Sequence, residues 1–329
     1  MKKLYVIGNG FDLYHGLDTS YLSFGIFLKN SYPLIYEYLT QYHGISDITN
    51  RLESSGLYLW SEFEVALADL DYEAILEDYS DYLASPGSED FRDRDWGAFQ
   101  IEIEKVIDEI TINLFNAFHE FILSVKFPVS VDYKLLGIDK DGLYLNFNYT
   151  DSLEKLYNIN KNNILYIHNQ ASLDDSVILG HGLNPKDLEP KEPEPPTDLS
   201  DEDYEEWAQM MSDSYDYSYE LGKHEVIRYF AEAHKNTSSI IKENENFFLG
   251  LKDIKVVYVL GHSLSEVDIP YFNKIIDCVN DDANWIVTYF SEEEKLSLKE
   301  TLIKCGVRNS MINLIKMNDL TLKRNNVSA

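Results

Sequence analysis

Apolar positions along this 329-residue chain follow two patterns. Short unbroken runs at residues 4–7, 143–147, 164–168, 177–180, 255–260, 285–290 and 312–315 lack polar alternation, as strands buried on both faces do; the last reads as an edge strand. Between these runs, apolar residues recur at helical spacing. A helical stretch over 17–42 takes Thr19 or Ser20 as its N-cap and is broken by Pro33. Trp60, Phe63, Leu67 and Leu70 keep the spacing. After a polar loop at 85–95, Phe99, Ile101, Val106, Ile110, Leu114, Phe118 and Phe121 continue it in a long amphipathic helix ending near Pro128. Further helices are predicted over 151–157, 223–244, 270–279 and 292–304. Strand alternating with helix predicts an α/β fold with a Rossmann-like parallel sheet. Strand signals stop after residue 7 and return only near 143. Residues 18–135 therefore read as a large helical insertion after the first strand, and residues 1–17 with 136–329 as a nucleotide-binding core.

Residues 184–220 fit neither pattern, carrying thirteen acids against Lys186 and Lys191, with five prolines near their start. Such a segment buries too little apolar surface to offset its ordering entropy, and it is expected to form an acidic, flexible flap near the cleft. Within it, Tyr204, Trp207, Met210 and Met211 have the spacing of a short docking helix. The whole chain is acidic, with 57 Asp and Glu against 28 Lys and Arg and a net charge of -29. That balance repels nucleic acid and anionic membrane, and no basic run offsets it, so direct nucleic-acid binding is not expected. No apolar segment approaches the ~20 residues of a membrane span, and the opening strand leaves no signal-peptide core, which predicts a cytoplasmic protein. Cys278 and Cys305 are far apart and have no metal-ligand spacing, so buried thiols are expected rather than a disulfide or a zinc site.

Candidate chemistry gathers where strands end. The first strand runs into Gly8, Asn9, Gly10, Phe11 and Asp12. Glycines there let a diphosphate approach main-chain N–H groups, and free N–H groups of Gly8 and Gly10 facing a cleft are the expectation. An ordinary tight turn has the same layout, and Leu13 stands where the dinucleotide fingerprint has its third glycine. Asn146, Asn148, Thr150 and Asp151 crowd the end of the next strand. Thr150 or Asp151 serves as a helix cap, which leaves Asn148 free to hold a ribose hydroxyl or a water. His168 ends the following strand, and His181 sits between glycines; both are read as emerging on the same sheet edge, with a pKa suited to proton transfer. Gly261, His262 and Ser263 repeat the strand–glycine layout, with Asp268 ahead of a helix opened by Pro270. Trp60, Phe63 and Glu64 read as core and solvated helix face. A zinc-protease motif, a nucleophile elbow and a Walker loop are absent.

In order and wording, VIGNGFDLYHGL followed by TSY, WSEFE, LNFNYTDSLEKLY, ILYIH, ILGHG and VYVLGHSLSEVD resemble the AbiH family of bacteriophage abortive-infection proteins. More distantly these blocks look like the sirtuin-like NAD-binding fold. That resemblance implies a dinucleotide surrounded by Gly8 to Phe11, by Asn148, by a catalytic His168 and by Gly261 with Ser263. The chain departs from that pattern at Asn169, where such proteins usually have glycine after the histidine, and at Asp12, where a small residue is usual.

The resemblance implies an anti-phage effector that binds a nucleotide and cleaves NAD or a related nucleotide at its N-glycosidic bond, with Asn148 and His168 catalytic, His181 the reserve base and no metal. Deacylation is disfavoured because the zinc module of such deacylases has four cysteines. A dehydrogenase is disfavoured because no strand-ending acid follows the glycine turn by ~20 residues. Two alternatives stay open: a metal-dependent phosphodiesterase or nuclease using Asp12, His15, His168 and His181, and a non-catalytic nucleotide sensor. The expected partners are a small-molecule nucleotide and either a phage-derived trigger or further copies of the chain.

Overall fold

The computed structural model describes residues 2–48, 62–130, 134–172, 176–189, 191 and 193–321. Trp60, and with it the start of the WSEFE block, lies outside them. Strand β1, Lys3–Ile7, is the centre of the sheet, and its last four residues are buried because it has a neighbour on each edge and helices over each face. β2 (Leu143–Asn146) pairs with one edge in the register Leu4↔Leu143, and β4 (Val256–Leu260) with the other in the register Leu4↔Val257. With β3 (Ile164–Tyr166), β5 (Asn284–Tyr289) and β6 (Ile312–Lys316), they form one six-stranded, all-parallel sheet in the order β3-β2-β1-β4-β5-β6. This is the doubly wound Rossmann order, with its switch point between β1 and β4.

Alternate β1 side chains feed two cores. Leu4 and Val6 join Leu145, Val257, Val259, Phe272 and Ile275 on one face. Tyr5 and Ile7 join Phe11, Tyr144, Leu153 and Leu260 on the other. Every described element between β1 and β2 is helical. The helix Tyr21–Ser31 is capped by Ser20, whose Oγ accepts from Ser23 N at 3.1 Å, and Pro33 opens the next, Pro33–Tyr42. The long helix expected to end near Pro128 is interrupted by a π turn, Glu109–Asn113, between Ala98–Asp108 and Leu114–Ser124; within that turn the Thr111 hydroxyl donates to the Ile107 carbonyl. Phe99, Ile103 and Ile107 meet Val226, Tyr229 and Phe230 of the helix Tyr217–Glu232. Arg228 ties the same two helices, donating to Asp108, Glu225 and Glu232.

Two expectations change in the connection from β3 to β4. Residues 177–180, read as a strand, stay out of the sheet: His181 instead bridges the 233–235 stretch, its N–H donating to the Ala233 carbonyl and its carbonyl accepting from Lys235 N. For the same reason the helix expected over 223–244 is divided. Tyr217–Glu232 stops, His234 bridges His181, and Asn236 caps a new helix, Thr237–Glu243, by accepting from Ser239 N. In the acidic segment, Ser200 caps the helix Asp201–Asp213, whose first-turn acids face the positive end of its dipole; Tyr204 and Met210 are exposed on it. Cys278 and Cys305 are free and half-buried rather than fully buried. Among the described residues no helix is long and apolar enough to cross a membrane.

Candidate functional site

A cavity of about 630 Å³ opens at the carboxyl ends of the strands, astride the switch point, where ligands bind in open α/β sheets. All six strands reach it: β1 through Gly8, Gly10 and Asp12, β2 through Asn148 and Thr150, β3 through His168, β4 through Gly261 and His262, β5 through Thr288, and β6 through Met317 just beyond its end. The opposite wall comes from the helices, with Tyr21, Glu64, Phe118 and Ile122.

On the β1–β4 side the two glycine loops lie on one another. Gly8 N donates to the Leu260 carbonyl at 3.0 Å and Gly10 N to the Gly261 carbonyl at 2.8 Å. These N–H groups are therefore not free, contrary to the expectation of a phosphate cradle. The glycines serve the contact itself: a Cβ on Gly10 would stand 2.8 Å from Gly261 Cα, and one on Gly261, where φ is +66°, 2.2 Å from Phe11 N. Asn9 is also occupied, its amide donating to the Thr19 carbonyl and accepting from the Thr19 hydroxyl at 2.6 Å. Phe11 is fully buried against the rings of His15 and Tyr157. Asp12 is fully buried too, and Thr150 donates to its carboxylate at 2.5 Å, joining the β1 turn to the end of β2. Burial raises the Asp12 pKa to about 6, against the lowering pull of Ser152, Thr150 and Asn148.

The far side holds a buried ion cluster. Lys235, next to the His181–His234 bridge, donates from Nζ to Glu64 Oε2 at 2.8 Å and to Asp268 Oδ1 at 3.4 Å, and its side chain has no exposure. Tyr21 donates to the other Glu64 oxygen at 2.9 Å. Burial raises the pKa of both carboxyls; it opposes the Lys235 ammonium, but Asp268 and Glu64 more than offset this and raise the lysine's pKa. Two imidazoles face Asp268. His262 Nδ1 accepts from Leu264 N at 2.9 Å, which puts its proton on Nε2, 3.4 Å from Asp268 Oδ2. Leu264 takes a left-handed conformation, φ +58°, to make that bond. His168 Nε2 lies 3.8 Å from Asp268 Oδ1, buried and without a hydrogen-bond partner. Burial first, then the charge of Lys235, holds both rings neutral, His262 at about 3 and His168 well below the ordinary histidine value.

The family model described as "Bacteriophage abortive infection AbiH" matches residues 4–289, a span that includes every residue lining the cavity except Phe290, Glu294 and Met317. The chain belongs to the AbiH family. It is thus a phage abortive-infection defence protein. No curated protein and no solved structure matches it significantly.

In this AbiH chain the cavity gathers Gly8, Asn9, Gly10, Asp12, Asn148, His168, Gly261, His262 and Ser263 from the sites read in the sequence. It does not gather His181 or Phe11. His181 faces the Phe230 carbonyl with Nε2 at 3.2 Å and stacks near His234. No described residue of 184–220 lines the cavity. The four residues of the metal-dependent alternative are dispersed as well: His15 sits between the Phe11 carbonyl and the Tyr157 hydroxyl, and His181 lies elsewhere. Asn169, the departure from the sirtuin-like pattern, has φ +63°, a conformation glycine adopts freely and asparagine tolerates best among the others, so the local turn is kept. Glu64 and Lys235 were missed. Glu64 read as a solvated helix face, and Lys235 as one more lysine inside a continuous helix; the cap signal of Asn236 before Thr237 was the available hint of a break.

Proposed function

We propose that this abortive-infection protein binds the nucleoside end of NAD or a related nucleotide in the switch-point cavity and hydrolyses its N-glycosidic bond. The observation that carries the reading is the arrival of Asn148 and of a neutral, unpartnered His168 Nε2 in one cavity whose floor holds buried carboxylates. In the reaction, water oxygen bonds to the ribose C1′ while the C1′–N bond breaks. The electron pair of that bond stays on the base nitrogen and neutralises the pyridinium, and the water's proton passes to His168 Nε2. The transition state resembles an oxocarbenium ion, and Asp268, 3.8 Å from His168, stabilises the positive charge developing on ring and imidazole. Asn148 positions the water or a ribose hydroxyl, since its amide both donates and accepts. Gly8 and Gly10 bring the loops after β1 and β4 close enough to shape the cavity, and Ser263 lines the same space.

The test is to incubate purified protein with NAD, NADP, ATP and single-stranded DNA, with and without chelator, and to identify products by mass. Nicotinamide release from NAD is expected, with His168→Ala and Asn148→Ala each slower by about 10²–10⁴-fold while binding stays measurable. Wild-type rates in both variants overturn the assignment of these residues, and intact NAD with the wild type overturns the hydrolase reading.

A further inference from the structure

Five of the described residues lining the cavity are acids, Asp12, Glu62, Glu64, Asp268 and Glu294, and none is lysine or arginine. Three of the acids are set apart: Asp12 takes the Thr150 hydroxyl, Glu294 takes the Phe290 N–H, and Glu62 is exposed to solvent. Glu64 and Asp268 differ, because they edge the cavity from a buried position and share one ammonium, Lys235, which lies behind them and does not line the cavity. With both carboxyls ionised, one ammonium against the pair leaves one negative charge without a fixed counter-ion; burial disfavours that state in the empty cavity, and a cation placed beside the pair favours it, where low dielectric strengthens the attraction. Among the described residues lining the cavity there is no lysine or arginine to supply the balance, and the facing imidazoles of His168 and His262 are held neutral. A further sign that something is missing from this wall is His168 Nε2, aimed at the same carboxylate yet buried without a partner. The glycine loops opposite offer no compensating attraction for phosphate from Gly8 and Gly10, whose N–H groups are spent on the Leu260 and Gly261 carbonyls.

We infer that the uncompensated carboxylate of the Glu64–Asp268 pair is a specificity element that selects nucleosides and nucleotides with a positively charged base, pyridinium compounds above neutral purines. The inference rests on the nucleotide-hydrolase reading for the identity of the ligand, but its electrostatic part stands on the cluster alone. A cationic base is also the one that leaves as a neutral molecule without needing an acid, so the same charge favours the ligand that the cavity is equipped to cleave. Lys235 acts from behind as a positioning residue, keeping both carboxylates turned to the cavity.

NAD and NADH separate this charge from the rest of the ligand, because both have the same phosphates, riboses and adenine and only the oxidised ring is cationic. Their binding to the full chain, measured by calorimetry with His168→Ala as the non-turnover background, should favour NAD by about tenfold or more. The preference should fall toward unity in Glu64→Gln, which keeps the shape and still accepts from Lys235, and in Asp268→Asn as the second variant. Equal affinities on the background, or a preference unmoved in both variants, overturn the inference. If neither dinucleotide binds, the nucleotide reading falls, and the small pair 1-methylnicotinamide, a cation, and nicotinamide, neutral, decides the electrostatic part by ligand-observed NMR. A preference for the cation that Glu64→Gln removes supports it; no preference overturns it.

Discussion

On the β1–β4 side of the cavity, one loop closes on another: Gly8 and Gly10 donate to the Leu260 and Gly261 carbonyls, Gly261 N donates to the Thr288 hydroxyl at 2.9 Å, and Asn9 closes on Thr19. On the helical side, side chains from distant parts of the sequence meet without full satisfaction: two carboxylates on one ammonium, and an imidazole nitrogen with no partner. The first wall is geometric and tolerates no added atom, whereas the second is electrostatic and tolerates no lost charge. The difference separates the wall that sets the cavity's shape from the wall that sets its charge. Loop glycines with satisfied N–H groups define the first, and burial with unequal charge counting, which holds groups away from their ordinary protonation, defines the second.

The sharpest way to break this contrast is to remove the cation. Lys235→Met leaves Glu64 and Asp268 buried without their counter-ion, and breaking a buried pair in that way costs roughly 3–5 kcal/mol. Chemical unfolding near pH 7 should show a loss of that order, with part of it recovered when Glu64→Gln is added to the same chain. A Lys235→Met protein as stable as the wild type would mean that the cluster is far more solvated than its burial indicates.

Asp12 tests whether the geometric wall carries an electrostatic cost of its own. Its pKa is raised by burial from 3.8 to about 6, so between those values the folded state holds a proton that the unfolded chain has released. The contribution of this group to stability is therefore greatest below about pH 4, falls as pH rises to about 6, and is constant above. Asp12→Asn removes that slope. The stability of the variant relative to wild type should rise by roughly 3 kcal/mol between about pH 3.5 and pH 7, read from urea unfolding across the range. A flat difference would show that Asp12 is ionised throughout, stabilised by Thr150 and its neighbours more than burial opposes it.

What the sequence disclosed follows the same division. Strands of a doubly wound sheet announce themselves by unbroken apolar runs; β1, β2, β4 and β5 were legible in this way as inner strands, and β3 and β6 kept enough of the pattern to be read although they edge the sheet and are only partly buried. Residues 177–180 have the same look, but Gly180, at φ +156°, takes them onto the 233–235 stretch instead, a tertiary choice that no local pattern encodes. His168, Asn148 and Gly261 were legible because strand ends are where ligands meet such sheets. Glu64 and Lys235 were not, because a charged residue on a helical pattern looks solvated until the fold closes over it. The glycine turn was visible but its use was not: the same residues that could admit a phosphate admit the neighbouring loop, and only the three-dimensional register of β1 against β4 distinguishes the two.

That use is measurable at two glycines that share a positive φ. Gly261 and Gly16 both lie in the left-handed region, at φ +66° and +84°, but a Cβ on Gly16 would meet nothing within 4 Å, whereas one on Gly261 would meet Phe11 N at 2.2 Å and Gly10 C at 2.4 Å. Alanine at either position carries the conformational penalty of the left-handed region, about 1 kcal/mol. At Gly261 the clash is with backbone, which no rotamer change relieves, so the β1 and β4 loops must separate at a further cost of roughly 1–3 kcal/mol. Urea unfolding of Gly261→Ala and Gly16→Ala, done side by side, should therefore differ by about 2 kcal/mol, with Gly261→Ala the less stable. The subtraction cancels the shared backbone penalty and leaves the loop-on-loop contact alone. Equal stabilities would mean that the two loops have slack to part, and the glycines after β1 and β4 would then have to be explained by a ligand rather than by each other.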